Sequence, residues 1–214
     1  RELNVPILLF STPEQPTKGG IWAQNSFCGA NMAVHTLRKM GKKYGFVFGP
    51  VAEADTLLKK PLSVLNCLSA LASAKIGLVG GRVPGFYTSN CDEMRLRSSI
   101  GVEVEIIDQL EIVDTANKLT DDEIRKGVEA VRKSAASFCK TVEKEITLAG
   151  RMYQSFNKAA LKYGLTSYAI RCWPEWSDIF GIAPCATIGM LNDSGLISSC
   201  EGDVLGAVLM KAQA

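Results

Sequence analysis

The stretch Lys75-Ile76-Gly77-Leu78-Val79-Gly80-Gly81-Arg82-Val83-Pro84-Gly85-Phe86 decides the fold. Lys75–Val79 is a short run rich in aliphatic residues, the pattern of a strand covered on both faces. Two adjacent glycines follow it, and glycine tolerates the positive φ that a sharp turn at the strand's end requires. Comparable apolar runs occupy residues 5–10, 44–48, 102–106, 167–171 and 197–200. Helical patterns separate them. Strands that alternate with helices predict βαβ units around a mainly parallel sheet.

The helices carry their own signals. Thr120-Asp121-Asp122-Glu123 is a predicted capping box, in which the Thr120 hydroxyl and the Glu123 carboxylate each satisfy the other's backbone N–H. Leu148, Met152, Phe156, Ala159, Ala160 and Tyr163 recur at three- and four-residue steps, one apolar stripe read as core. Gly164 stands where a left-handed residue would stop that helix. A Leu- and Ala-rich helical stretch interrupted by Pro61 precedes a boundary near Ser73-Ala74. Two α/β units packed directly together, with no Pro- or Ser-rich linker, fit this pattern.

Composition narrows the function classes. The 214 residues include 24 Lys+Arg and 22 Asp+Glu, a net charge of +2, with 47% hydrophobic and 21% charged residues. These are the proportions of a globular protein, not of a disordered tail, a collagen-like fibre or a coiled coil. A chain without a basic run is not expected to bind nucleic acid. No apolar stretch reaches the roughly 18 residues that span a bilayer, so no membrane association is expected. Arg1-Glu2-Leu3-Asn4 lacks the features of a signal peptide, and a cytoplasmic protein is expected. Seven cysteines at 28, 67, 91, 139, 172, 185 and 200, with no C-x-x-C pair, predict reduced and mostly buried thiols. The single histidine, His35, speaks against a site built from several imidazoles. The chain opens on an apolar run without an initiator Met and closes in an apolar helix, and is therefore expected to be a piece of a longer polypeptide.

Four segments can carry chemistry. The glycine-rich turn at 80–86 lies where open α/β sheets bind ligands, either as a degenerate dinucleotide turn or as a place where another group approaches the backbone closely. Gln24-Asn25-Ser26-Phe27-Cys28-Gly29 offers amides and hydroxyls to a polyol, or simply caps the helix that contains His35. Trp173, in Cys172-Trp173-Pro174-Glu175-Trp176, can stack on a sugar ring or pack at an interface. In Ile197-Ser198-Ser199-Cys200-Glu201-Gly202-Asp203, Asp203 is most simply the cap of the next helix, which leaves Glu201 free to face a ligand. A carboxylate at a strand's C-terminal end suits a hard divalent cation such as Mn²⁺ or Mg²⁺.

Taken together, Pro6-Ile7-Leu8-Leu9-Phe10-Ser11, Gly81-Arg82-Val83-Pro84-Gly85-Phe86, Ala169-Ile170-Arg171-Cys172-Trp173-Pro174 and Cys200-Glu201-Gly202-Asp203 resemble the L-fucose isomerase and L-arabinose isomerase superfamily. The resemblance implies two Rossmann-like three-layer α/β/α units followed by a β-rich C-terminal domain. Residues 1–74 would be the C-terminal part of the first unit and 75–214 the second, with the β-rich domain absent from this chain. It implies a metal-dependent aldose–ketose isomerase that works through a cis-enediol, with Mn²⁺ or another divalent metal as cofactor. Glu201 would be both metal ligand and catalytic base. Asn25 and Ser26 would belong to a loop facing substrate in a neighbouring subunit, while Phe86, Tyr87 and Asn90 would border the sugar, beside the Trp173 already singled out by its own chemistry. A homo-oligomer, such as a hexamer, is implied. The family's remaining metal ligands, a carboxylate and a histidine, have no counterpart after Asp203, so this chain alone is expected to be inactive. The rival readings are a nicotinamide-dependent oxidoreductase using the turn between Gly77 and Gly85, and a non-catalytic sugar-binding α/β module.

Overall fold

The computed structural model describes residues 5–14, 24–138, 140 and 143–214. The chain divides into two compact units, one reaching to Ser69 and one running from Ala70 to Ala214. In the first unit, β1 (Leu8–Ser11), α1 (Ser26–Lys39) and β2 (Gly45–Phe48) form a βαβ element. Its two strands are parallel, with Leu8 opposite Gly45 and Ser11 opposite Phe48. A single 3-10 turn at Val51–Glu53 leads into α2 (Ala54–Ala72). Pro61 lies inside α2 without interrupting it. The missing proline N–H removes one backbone bond, and the helix continues on either side.

The second unit contains β3 (Lys75–Val79), α3 (Glu93–Ile100), β4 (Glu103–Ile107), α4 (Gln109–Asn117), α5 (Asp121–Ser134) and α6 (Glu143–Tyr163). It continues through β5 (Ser167–Ile170), α7 (Trp176–Ile179), α8 (Cys185–Asp193), β6 (Ile197–Ser199) and α9 (Val204–Gln213). The sheet order is β4-β3-β5-β6 and every pairing is parallel. All four residues of β5 are buried, as a strand with helices on both faces must be. The architecture is three-layer α/β/α.

Local chemistry accounts for the elements. The capping box at the start of α5 forms as predicted: Thr120 N–H donates to Glu123 Oε2 at 2.8 Å, and Glu123 N–H donates to Thr120 Oγ1 at 3.4 Å. Gly164 takes φ +64° and ends α6. Within the α6 stripe, Met152, Phe156, Ala159 and Ala160 are buried, while Leu148 and Tyr163 lie at its half-buried margins. Phe156 meets Tyr168 edge to face at 5.2 Å, and the Tyr168 hydroxyl donates to the Phe156 carbonyl at 2.7 Å. Burying a side chain of this size contributes about 1.5–3 kcal/mol. Burial also raises the Tyr168 hydroxyl well above its ordinary pKa, with a smaller push from Glu111. Helices α5 and α6 cross at glycines: a Cβ on Gly127 would lie 2.3 Å from the Gly150 carbonyl.

The thiols depart from expectation. Among the described cysteines, Cys28, Cys185 and Cys200 are exposed and Cys67, Cys91 and Cys172 half-buried. Cys172 and Cys200 stand just beyond the ends of β5 and β6, and Cys185 opens α8, so the core layers between the helices do not enclose them. Cys139 lies outside the described residues. His35 is exposed on α1 and takes no part in a core.

Candidate active site at the carboxyl ends of the parallel strands

From β3 the chain passes to β4 on one side and then returns to β5 on the other. The connections leaving β3 and β5 therefore run to opposite sides, and such a switch point is where open α/β sheets hold ligands. Three loops meet there, after β3, β5 and β6.

The loop after β3 opens with Gly80 at φ +77° and Gly81 at φ +71°. A Cβ on Gly80 would lie 2.6 Å from the Gln109 side chain, so the glycine is required there by space as well as by conformation. The loop then runs through a 3-10 turn, Tyr87–Ser89, and α3 starts only at Glu93. The dinucleotide fingerprint asks a helix to open on its glycines. This loop does not do that. Phe86, Tyr87 and Asn90 are exposed on it, and Arg82 covers the Tyr87 ring at 4.7 Å. Gly80, Gly81, Ile106, Ile107, Asp108 and Gln109 border an open cleft of about 470 Å³.

The loop after β5 is organised by Arg171. Its guanidinium donates to the Gly80 carbonyl at 3.1 Å and to the Trp173 carbonyl at 3.4 Å, and pairs with Glu175. Its own carbonyl accepts from Trp176 Nε1 at 2.6 Å and from Gln109 Nε2 at 3.2 Å. One residue thus ties the β3, β4 and β5 ends together. Of the two tryptophans of this segment, Trp176 is fully buried against Phe156 and Phe180, while Trp173 is 58% exposed.

The loop after β6 is a tight turn. Gly202 N–H donates to the Ile170 carbonyl at 3.0 Å, and a Cβ on Gly202 would lie 2.4 Å from the Gly81 carbonyl. Only glycine lets the β3 and β6 loops touch in this way. Asp203 caps α9, accepting from Gly206 N–H at 2.8 Å. Glu201, freed from that duty, takes φ +60°, an uncommon conformation for a non-glycine residue. Its Oε2 is buried and has no hydrogen-bond partner.

Beside Glu201 the two loops bring Cys172 and Cys200 together, Sγ to Sγ 3.0 Å. Burial first, and the neighbouring Cys200 thiol second, push the Cys172 thiol up to about 12. The donor atoms of Cys172, Cys200 and Glu201 all lie within 4.8 Å of one another. A cation there would satisfy the unpartnered Glu201 oxygen, so Glu201 fits a metal site. The set nonetheless offers one hard carboxylate and two soft sulfurs. Cys91, on the same side, is raised by burial and by the charges of Glu93, Asp92 and Asp203.

Of the residues singled out from sequence, Glu201, Trp173, Phe86, Tyr87 and Asn90 thus stand on the loops of one sheet edge. Asn25 and Ser26 belong to the first unit. Asn25 occupies the N-cap position of α1 at φ +50° without a capping side-chain bond, and its N–H donates to Glu14 at 2.7 Å. Ser26 Oγ accepts from Thr12 N–H at 3.1 Å. Asn25 also borders a cleft of about 300 Å³ with Thr12, Glu14, Phe27, Cys28 and Phe48. Sequence reasoning missed Arg171, Gln109 and the meeting of Cys172 with Cys200. An arginine directly after an apolar run was the available signal for the first.

No protein-family model matches the chain. Over 207 residues, 96% of its length, it is 31% identical to proteins named sulfoquinovose isomerase from Priestia aryabhattai and Priestia megaterium. A protein of the same name from Alkalicoccus urumqiensis is 30% identical over 213 residues, 97% of this chain. The matches cover 46–47% of those proteins, so the chain spans about half the length of the curated relatives it matches. Over nearly its whole length, the chain is similar to sugar isomerases.

Proposed function

We propose that the chain is the central portion of a cytoplasmic aldose–ketose isomerase of the fucose and arabinose isomerase type. In this reading residues 1–74 close a first Rossmann-like domain, 75–214 form the second, and a β-rich domain follows in the full-length protein. One observation carries the reading: Glu201 presents a buried, unpartnered carboxylate oxygen at the mouth of a parallel sheet. The similarity to proteins named sulfoquinovose isomerase supports it and makes sulfoquinovose the first substrate to test.

Glu201 takes the C2 proton of the open-chain aldose, and the electron pair released forms the C1=C2 bond of a cis-enediol while O1 gains a proton. Glu201 then returns its proton to C1 as O2 loses its own, which leaves the ketose. A divalent cation, Mn²⁺ in the superfamily the sequence resembles, supplies polarisation of the adjacent C1 and C2 oxygens when bound. Glu201 would hold it, with further hard ligands supplied from outside this chain. Trp173 offers a face for the sugar ring, and Phe86, Tyr87 and Asn90 border it. Asn25 and Ser26 face the sugar of a neighbouring copy in a homo-oligomer, a hexamer by the same resemblance.

The test uses the full-length protein with Mn²⁺, sulfoquinovose, fucose or arabinose, and deuterated water. The expected result is metal-dependent isomerisation with solvent deuterium incorporated at C1 or C2, abolished in Glu201→Gln. Turnover that needs added nicotinamide cofactor, or full activity in Glu201→Gln, overturns it.

A further inference from the structure

We propose that Cys172, Cys200 and Glu201 form a binding site for a thiophilic divalent cation, of which Zn²⁺ is the representative. Two sulfurs and a carboxylate oxygen within 4.8 Å of one another are the donors that zinc takes. A hard cation such as Mn²⁺ prefers oxygen and imidazole ligands to sulfur. Two sulfurs, each about 2.3 Å from a tetrahedral zinc, lie about 3.8 Å apart. The thiols stand 3.0 Å apart, so the pair opens by less than about 1 Å to admit the ion. Both thiol protons leave to solvent on binding, as ligation by sulfur requires.

The carboxylate distinguishes a cation site from a mere thiol pair. A disulfide between Cys172 and Cys200 makes no use of Glu201, whose Oε2 is buried without a partner, whereas a cation takes the Glu201 carboxylate as its third donor. The three donors come from loops fixed at both ends. Cys172 follows Arg171, anchored to Gly80 and Glu175, and Glu201 precedes Gly202, anchored to Ile170. Because Glu201 belongs to both donor sets, zinc at this site competes with any hard cation that Glu201 holds. The site takes its cation whether or not the chain isomerises a sugar.

The experiment uses the full-length protein, reduced with a phosphine and freed of metal. Co²⁺ is titrated in the absence of oxygen, and the near-ultraviolet thiolate-to-cobalt charge-transfer band is recorded. Zn²⁺ is then added, and alkylation of each cysteine is followed by peptide mass spectrometry. The expected result is a saturable charge-transfer band that Zn²⁺ removes. Zn²⁺ should slow alkylation of Cys172 and Cys200 at least about tenfold while leaving Cys28 and Cys185 unchanged. Cys172→Ser and Cys200→Ser should each weaken binding about tenfold or more, the range that perturbed metal sites show. The alkylation measurement needs no variant, so a misfolded mutant does not blunt the test. Cobalt binding without a thiolate band, unaltered alkylation of both thiols, or recovery of the two peptides joined by a disulfide would each overturn the proposal.

Discussion

At the scale of single residues, the turn after β6 divides two acids between two jobs. Asp203 Oδ1 accepts from Gly206 N–H, and Ser199 Oγ donates to the Asp203 carbonyl at 2.6 Å. Asp203→Ala loses the cap and should cost about 0.5–2 kcal/mol, measured as a lower melting temperature, with residual isomerase activity in the full-length protein. Glu201→Gln should do the opposite. It keeps size and leaves the Asp203 cap intact, so the melting temperature should hold while activity disappears. The separate roles of these acids were legible from their spacing alone, since an N-cap precedes its helix directly and Glu201 is two residues too early. The partners of Glu201 were not legible. Cys172 and Cys200 stand 28 residues apart in sequence and meet only because β5 and β6 pair with Ala169 opposite Ser199. No periodicity in the chain encodes that register.

At the scale of elements, the six apolar runs became the six strands among the described residues, with ends that coincide or shift by up to three residues. The largest shift is at β1, which starts at Leu8 rather than at residue 5 because pairing with β2 begins at Gly45. Helix α5 shows how a local signal becomes a pH dependence. The Lys158 ammonium, which Glu123 meets at 2.6 Å, together with the Thr120 backbone and hydroxyl, holds the Glu123 carboxyl down to about 2, from 4.5. A carboxyl lowered by folding stabilises the native state above its unfolded pKa, and that contribution is lost as protons bind. The chain should therefore lose stability between pH about 4.5 and about 2. Glu123→Gln, which cannot titrate, should show a shallower loss over that interval in urea unfolding. An unchanged acid limb would assign the loss to other carboxyls, among which Glu111, lowered by Lys162 and Tyr163, is next in line.

At the scale of the whole molecule, the two units differ in what they bury. Every buried hydrophobic residue among those described lies between Leu71 and Ala207, in the second unit. In the first, Phe27, Met32, Phe46 and Phe48 are all more than 40% exposed. Local opening is easiest where few apolar contacts resist it. Hydrogen exchange on the intact chain should therefore release the amides of β1 and β2 well before those of β3 and β5. Comparable protection in all four strands would contradict this.

A sheet whose strands all run one way has two ends with different fates. The carboxyl end bears Gly80, Arg171, Cys172 and Glu201, the residues of the proposed sites. At the opposite end Lys75 pairs with Glu105 at 2.7 Å and Arg97 with Glu103 at 3.0 Å. Exposed and half-exposed pairs of this kind contribute about 0–1 kcal/mol each. Lys75→Gln should therefore shift thermal unfolding by a few degrees at most and leave activity untouched. A substitution at the amino end therefore tests the stability of this sheet, and one at the carboxyl end tests the chemistry proposed for it.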